Sequence, residues 1–94
     1  MALVHNNPTV GTTPTLIVSM PTGIDYTAVQ IYNRDNQAIY IGDYDVTVAV
    51  GPAAGSVLAS NSSVQLWLNA GDEVWAISTG GTANGAVSVI YSGV

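Results

Sequence analysis

The sequence predicts an all-β domain: one small antiparallel β-sandwich or barrel of about seven to eight short strands, with an extended N-terminal arm. Three observations lead there. Apolar and polar residues alternate over short runs, as a strand with one buried face requires. Glycine, asparagine, aspartate and proline punctuate those runs about every nine or ten positions, and no helical periodicity competes with them. Finally, the 94 residues are 48% hydrophobic and only 7% charged, against roughly 25% charged in ordinary globular domains.

Taken in order, residues 1–14 contain Pro8, Pro14 and several Thr and Asn and read as an extended arm outside the core. Residues 15–94 read as the β-domain. Its strands are expected over Thr15–Met20, Thr27–Tyr32, Gln37–Ile41, Asp45–Val50, Ser56–Ala59, Ser63–Leu68, Glu73–Thr79 and Ala86–Tyr91. The connectors are 33–36, 51–55, 69–72 and 80–85. They supply positive φ or side-chain-to-backbone bonding at low cost.

Period-two alternation then assigns faces. Val64, Leu66 and Leu68 share one face of their strand, as do Val29 with Ile31, Ile39 with Ile41, and Val87 with Val89. With Leu16, Val18 and Met20 these form the expected core. Tyr32, Tyr40 and Trp67 fall on the opposite, nominally polar faces, and Trp75 can face either way. Either both faces of each sheet are buried and these rings are ordinary packing, or Tyr32, Tyr40 and Trp67 form an outward patch that docks a neighbour or a ligand.

Charge narrows the partners. Six acids, one base and a net charge of −5 offer no footprint for phosphates, so neither nucleic acid nor an anionic membrane is expected. No run approaches the ~18 apolar residues of a membrane helix. The first residues lack a basic start followed by a long apolar run, so the product is expected to be made and folded as a soluble chain without cleavage of a leader. An all-β domain normally guards its sheet edges with charges, lysine above all. This chain has no lysine and the single base Arg34, so its edges are expected to be covered by further copies of itself or by a larger assembly.

Catalytic and metal chemistry find little to stand on, and neither an enzyme nor a cofactor is expected. His5 is the one histidine and there is no cysteine, which leaves zinc without ligands and a nucleophile without an oriented base. Asp43 and Asp45, or Asp72 and Glu73, supply oxygens for calcium, but aspartate in such turns more often bonds nearby backbone N–H groups. The segment Gly80-Gly81-Thr82-Ala83-Asn84-Gly85 lacks the lysine and the following helix of a phosphate loop and reads as a flexible hairpin connection. Arg34, beside Asp35, reads first as half of a surface salt bridge and second as a specific contact to an acidic partner.

One stretch has the order of a known group. Ile39-Tyr40-Ile41-Gly42 is followed by Asp45-Val46-Thr47 and the Gly51–Gly55 turn. Then come Leu66-Trp67-Leu68-Asn69-Ala70-Gly71-Asp72-Glu73-Val74-Trp75-Ala76-Ile77 and the glycine-rich lead into Ala86-Val87-Ser88-Val89. This resembles small all-β virion proteins of tailed bacteriophages, of the capsid decoration or cement kind. The resemblance implies a homo-oligomer, with a trimer favoured, bound to the major capsid protein on the capsid exterior. It also implies that Trp67 and Trp75 lie on paired strands around the Asn69–Asp72 turn. The competing reading is a glycan-binding or adhesion module of a phage head or tail that uses Trp67, Tyr40 or Trp75 as a stacking platform.

Overall fold

In the computed structural model, described here for residues 2–23, 26–48, 51 and 54–93, eight strands form two four-stranded antiparallel sheets with no helix. They are β1 (Ala2–Asn6), β2 (Thr15–Ser19), β3 (Thr27–Asn33), β4 (Ile39–Gly42), β5 (Ser56–Leu58), β6 (Ser62–Leu68), β7 (Glu73–Ser78) and β8 (Val87–Gly93). The first sheet runs β1-β8-β3-β6 and the second β2-β7-β4-β5.

These orders have a simple origin. β1 pairs with β8, β2 with β7, β3 with β6 and β4 with β5, which is one long hairpin with its tip between β4 and β5. Rolling that hairpin brings β8 onto β3 and β7 onto β4 and closes two layers. The result is a jelly roll, a double-sheet wrap of eight strands. Nearly every connection therefore crosses between the sheets. The core lies between them, with Val29, Ile31, Val87 and Val89 of the first sheet meeting Ile39, Ile41, Val74 and Ala76 of the second.

The all-β sandwich follows the alternation, and seven of the expected strands appear within a few residues of their expected ends. Four details differ. The segment expected as a strand over Asp45–Val50 holds a turn at Asp43, where Val46 N–H donates to Asp43 O (3.0 Å), and an isolated bridge of Thr47 to Ala54; residues 49–50 lie outside the described residues. Glycines explain the turn-back. A Cβ at Gly42 would meet Val46 Cγ2 at 3.0 Å and one at Gly55 would meet it at 2.6 Å, so only bare backbone lets Val46 fold onto the sheet and become buried.

In β2 the predicted face is broken. Register shifts between Leu16 and Val18, so Ile17 and Val18 are both buried while Leu16 is 39% exposed. A bulge adds one residue and turns the strand over, which moves Leu16 from the expected core to the surface.

The third difference concerns residues 1–14. They are extended, yet not outside the core: Ala2–Asn6 forms β1 on β8 and Val10 is 0% exposed within the hydrophobic cluster. Val10 is held by Thr82, whose N–H donates to Val10 O (2.8 Å) and whose Oγ1 accepts from Val10 N–H (2.9 Å). The segment 80–85 is thus a crossover between β7 and β8 in different sheets, pinned at Thr82, and no hairpin.

Last, Trp67 and Trp75 do not lie on paired strands. β6 pairs with β3, and β7 with β2 and β4. Their connection is tied instead to Met20, whose N–H donates to Asp72 O (2.9 Å) and whose carbonyl accepts from Gly71 N–H (3.0 Å). Those bonds bring the turn to the end of β2 and send the chain into the other sheet.

Candidate functional site

The four expected interface aromatics separate into two pairs on opposite faces of the sandwich. Tyr32 and Trp67 stand on β3 and β6, on the outer face of the first sheet; Tyr40 and Trp75 stand on β4 and β7 in the second. Tyr32, Tyr40 and Trp75 alternate with buried residues of their own strands, and Trp67 with the half-buried Leu66 and Leu68 that pack on the core, which places all four outward. A single patch of Tyr32, Tyr40 and Trp67 is therefore not formed, because period-two reading fixes faces within a strand and says nothing of which sheet holds it.

On the second sheet the rings are half-buried. Tyr40 lies between Ile77 and Val57, and Trp75 between Leu16 and Gly42. Trp75 Nε1 donates to Glu73 Oε1 at 3.4 Å.

The first sheet is more open. Trp67 is 54% exposed and stacks on Tyr26, with ring centroids 5.3 Å apart and planes 22° from parallel. Sequence reading passed over Tyr26 because it precedes its strand; only the β3–β6 pairing brings it beside Trp67. Across the middle of the face, His5, Ile90, Gln30 and Gln65 lie in one cross-strand row, and Tyr32 stands between Ser88 and Ser63 in the next. Gln30, Tyr32, Arg34, Ser88 and Ile90 line an open depression of ≈ 440 Å³.

Arg34 does not pair with Asp35. Its backbone N–H donates to Ala86 O (2.8 Å), which continues the ladder one residue past β3. The side chain therefore follows Gln30 and Tyr32 outward, and its Nη2 donates to Gly85 O (2.9 Å) and Ser88 Oγ (3.1 Å). Asp35, the next residue, turns the other way. Its Oδ2 accepts from Gln37 N–H (3.2 Å) and its Oδ1 from Ala83 N–H (3.4 Å).

Asp43 and Asp72 cap backbone as turn residues do. Asp43 Oδ1 accepts from Tyr44 N–H (2.8 Å) and Asp72 Oδ2 from Asn69 N–H (2.7 Å). Among the described residues no three of His, Asp and Glu gather as a metal would need. His5 sits on the exposed edge strand, its Nε2 3.2 Å from Asn7 Nδ2. Among the described residues no helix is long and apolar enough to cross a membrane.

Compared with known proteins, the chain matches no family model, no curated protein and no solved structure.

Proposed function

We propose that this chain is a structural virion protein of a tailed bacteriophage that self-associates, with a trimer favoured, and decorates or stabilises the capsid exterior on the major capsid protein. One observation carries the self-association. β6 is an edge strand of seven residues, Ser-Ser-Val-Gln-Leu-Trp-Leu, with no charge, no proline and an unbroken register against β3. Proteins that stay monomeric blunt such an edge. The other edge of the same sheet is β1, also uncharged apart from His5.

Pairing β6 of one copy with β1 of the next is a head-to-tail contact, and such contacts close into rings when the rotation allows. Trp67 and Tyr26 stand at the β6 edge and would be buried in the same contact. A stable interface covers about 800 Å² per partner. At ~25 cal/mol per Å² of apolar area, apolar burial repeated around a ring stabilises the shell by mass action. The virion placement rests on the motif order from Ala38 to Val89. The jelly roll, a wrap shared by viral capsid and lectin domains, supports it by analogy of fold alone.

Light scattering after size exclusion tests the assembly. The full chain is expected to run as an oligomer. The double variant Ser63→Lys, Gln65→Lys, which places charge on the β6 edge, is expected to run as a folded monomer. A wild-type monomer at high protein concentration overturns the self-association, and absence of the protein from purified virions overturns the placement.

A further inference from the structure

The depression on the first sheet has the chemistry of a small-ligand site. Three successive outward residues of β3 and its extension, Gln30, Tyr32 and Arg34, face two of β8, Ser88 and Ile90. Opposite Arg34 the chain has Ala86, to which it is bonded, and this short side chain keeps the guanidinium end open. Together these residues present an amide, a phenol, a hydroxyl, an apolar floor and one cation. The volume of ≈ 440 Å³ falls within the roughly 300–1,000 Å³ of small-molecule sites.

Arg34 is held in place but not neutralised. Both of its protein acceptors, Gly85 O and Ser88 Oγ, are uncharged and both are served by Nη2. The donors on Nε and Nη1 have no acceptor among the described residues. Ser88 Oγ in turn donates to Asn7 Oδ1 (2.9 Å), beside His5. A hydrogen-bonded chain across three strands thus fixes the guanidinium before any ligand arrives, and such preorganisation lowers the ordering cost of binding. In a chain with one base and six acids, an arginine held by neutral groups is a specific feature.

We infer that this depression binds a carboxylate-bearing saccharide, a uronic or sialic acid unit, with Arg34 taking the carboxylate. Guanidinium-to-carboxylate bonds are the strong, geometry-selective kind. Gln30 and Ser88 meet ring hydroxyls, and the Tyr32 ring with Ile90 supports the apolar face of the sugar. The inference is independent of where the protein resides.

Amide NMR spectra of the full chain, titrated with D-glucuronate and with N-acetylneuraminate, test it, with glucose and acetate as controls. Saturable shifts are expected at Gln30, Arg34, Ser88 and Ile90 with either acidic sugar. Glucose and acetate are each expected to bind on the order of ten-fold more weakly, and Arg34→Gln to weaken the acidic sugars by on the order of ten-fold or more, as loss of a charged hydrogen-bond partner implies. Should Arg34→Gln lose its dispersed spectrum, Ser88→Ala and Tyr32→Ala decide, each expected to bind more weakly while staying folded. Absence of saturable shifts with both acidic sugars overturns the site. So does acetate binding as tightly as the sugars, or variants that bind like wild type. Shifts at Arg34 that follow protein concentration without sugar, and that vanish with the oligomer in Arg34→Gln, would assign the acceptor to another copy and also overturn it.

Discussion

Asn33 at the end of β3 donates its side-chain amide to the carbonyl of Leu58 in β5, 3.2 Å away, and so joins the two sheets across the open side of the sandwich. The same Nδ2 also reaches Gln37 O (2.8 Å) and Ala59 O (3.4 Å), while Oδ1 accepts from Asp35 N–H (3.0 Å). Asn33 is 0% exposed and Leu58 is buried with it, so the bond between them has no water to replace it. Asn33→Ala is expected to cost about 2–3 kcal/mol, because each orphaned buried group carries its own desolvation penalty. At about 4–8 °C per kcal/mol for a chain of this size, the melting temperature should fall by about 10–20 °C. Asn33→Asp should be no better, since it turns an acceptor toward three carbonyls. A melting temperature within a few degrees of wild type would show that the bridge carries little.

Gly55 makes a second prediction from close approach. A Cβ there would lie 2.6 Å from Val46 Cγ2, 2.9 Å from Ile41 O and 3.0 Å from Tyr40 Cβ. The carbonyl is backbone and cannot rotate aside. Gly55→Ala should therefore destabilise by about 1–3 kcal/mol through overpacking, with amide shifts spreading through Val46 and β4. At Gly23 a Cβ would meet nothing within 4 Å, so Gly23→Ala tests backbone strain alone at its φ of +86°. Gly55 is not a positive-φ glycine, so a Gly55→Ala variant as stable as wild type would show that Val46 and β4 give way to the added methyl at little cost.

Much of the layering was legible because alternation is a local signal. Val29 with Ile31 and Val87 with Val89 show their buried face within three residues. What escaped is non-local. The bulge in Thr-Leu-Ile-Val-Ser leaves no mark, since three consecutive apolar residues fit either register. Val10 becomes core only through Thr82, 72 positions away. Trp67 and Trp75 flank one short turn, and only its tie to Met20 sends them to different sheets. For the same reason Arg34 read as the partner of its chain neighbour Asp35, whereas strand geometry turns the two apart.

The exposed stack of Trp67 on Tyr26 gives a spectroscopic prediction. With Trp75→Phe leaving Trp67 as the one emitter, acrylamide should quench strongly in dilute protein, where the ring is 54% exposed. Tyr26→Ala should increase quenching further by uncovering the stacked face. If copies join through the β6 edge, quenching should drop several-fold as concentration rises through the association. Strong quenching that persists in the oligomer would place Trp67 outside the contact and leave it free for a ligand.

Deleting residues 1–14 tests how far the N-terminal segment belongs to the domain. The deletion strips β1 from β8 along five paired positions and removes Val10, whose burial is worth about 1.5–3 kcal/mol. It also takes away Gly11 O, which accepts from Ser78 N–H at 2.9 Å, and Val10 O, which accepts from Thr82 N–H. Ser78 and Thr82 are both buried, so their freed donors add penalties of about 1–3 kcal/mol each. The sum approaches the whole stability of a small domain, about 5–15 kcal/mol. The truncated chain should therefore be unfolded or aggregated at room temperature, with β8 newly exposed as an edge. Val10→Ala, which keeps β1, should melt lower by an amount matching about 2 kcal/mol. If the truncated chain instead melts with wild type, residues 1–14 are a detachable arm. Val10 would then contribute nothing to the core it occupies, and Val10→Ala would have to be silent as well.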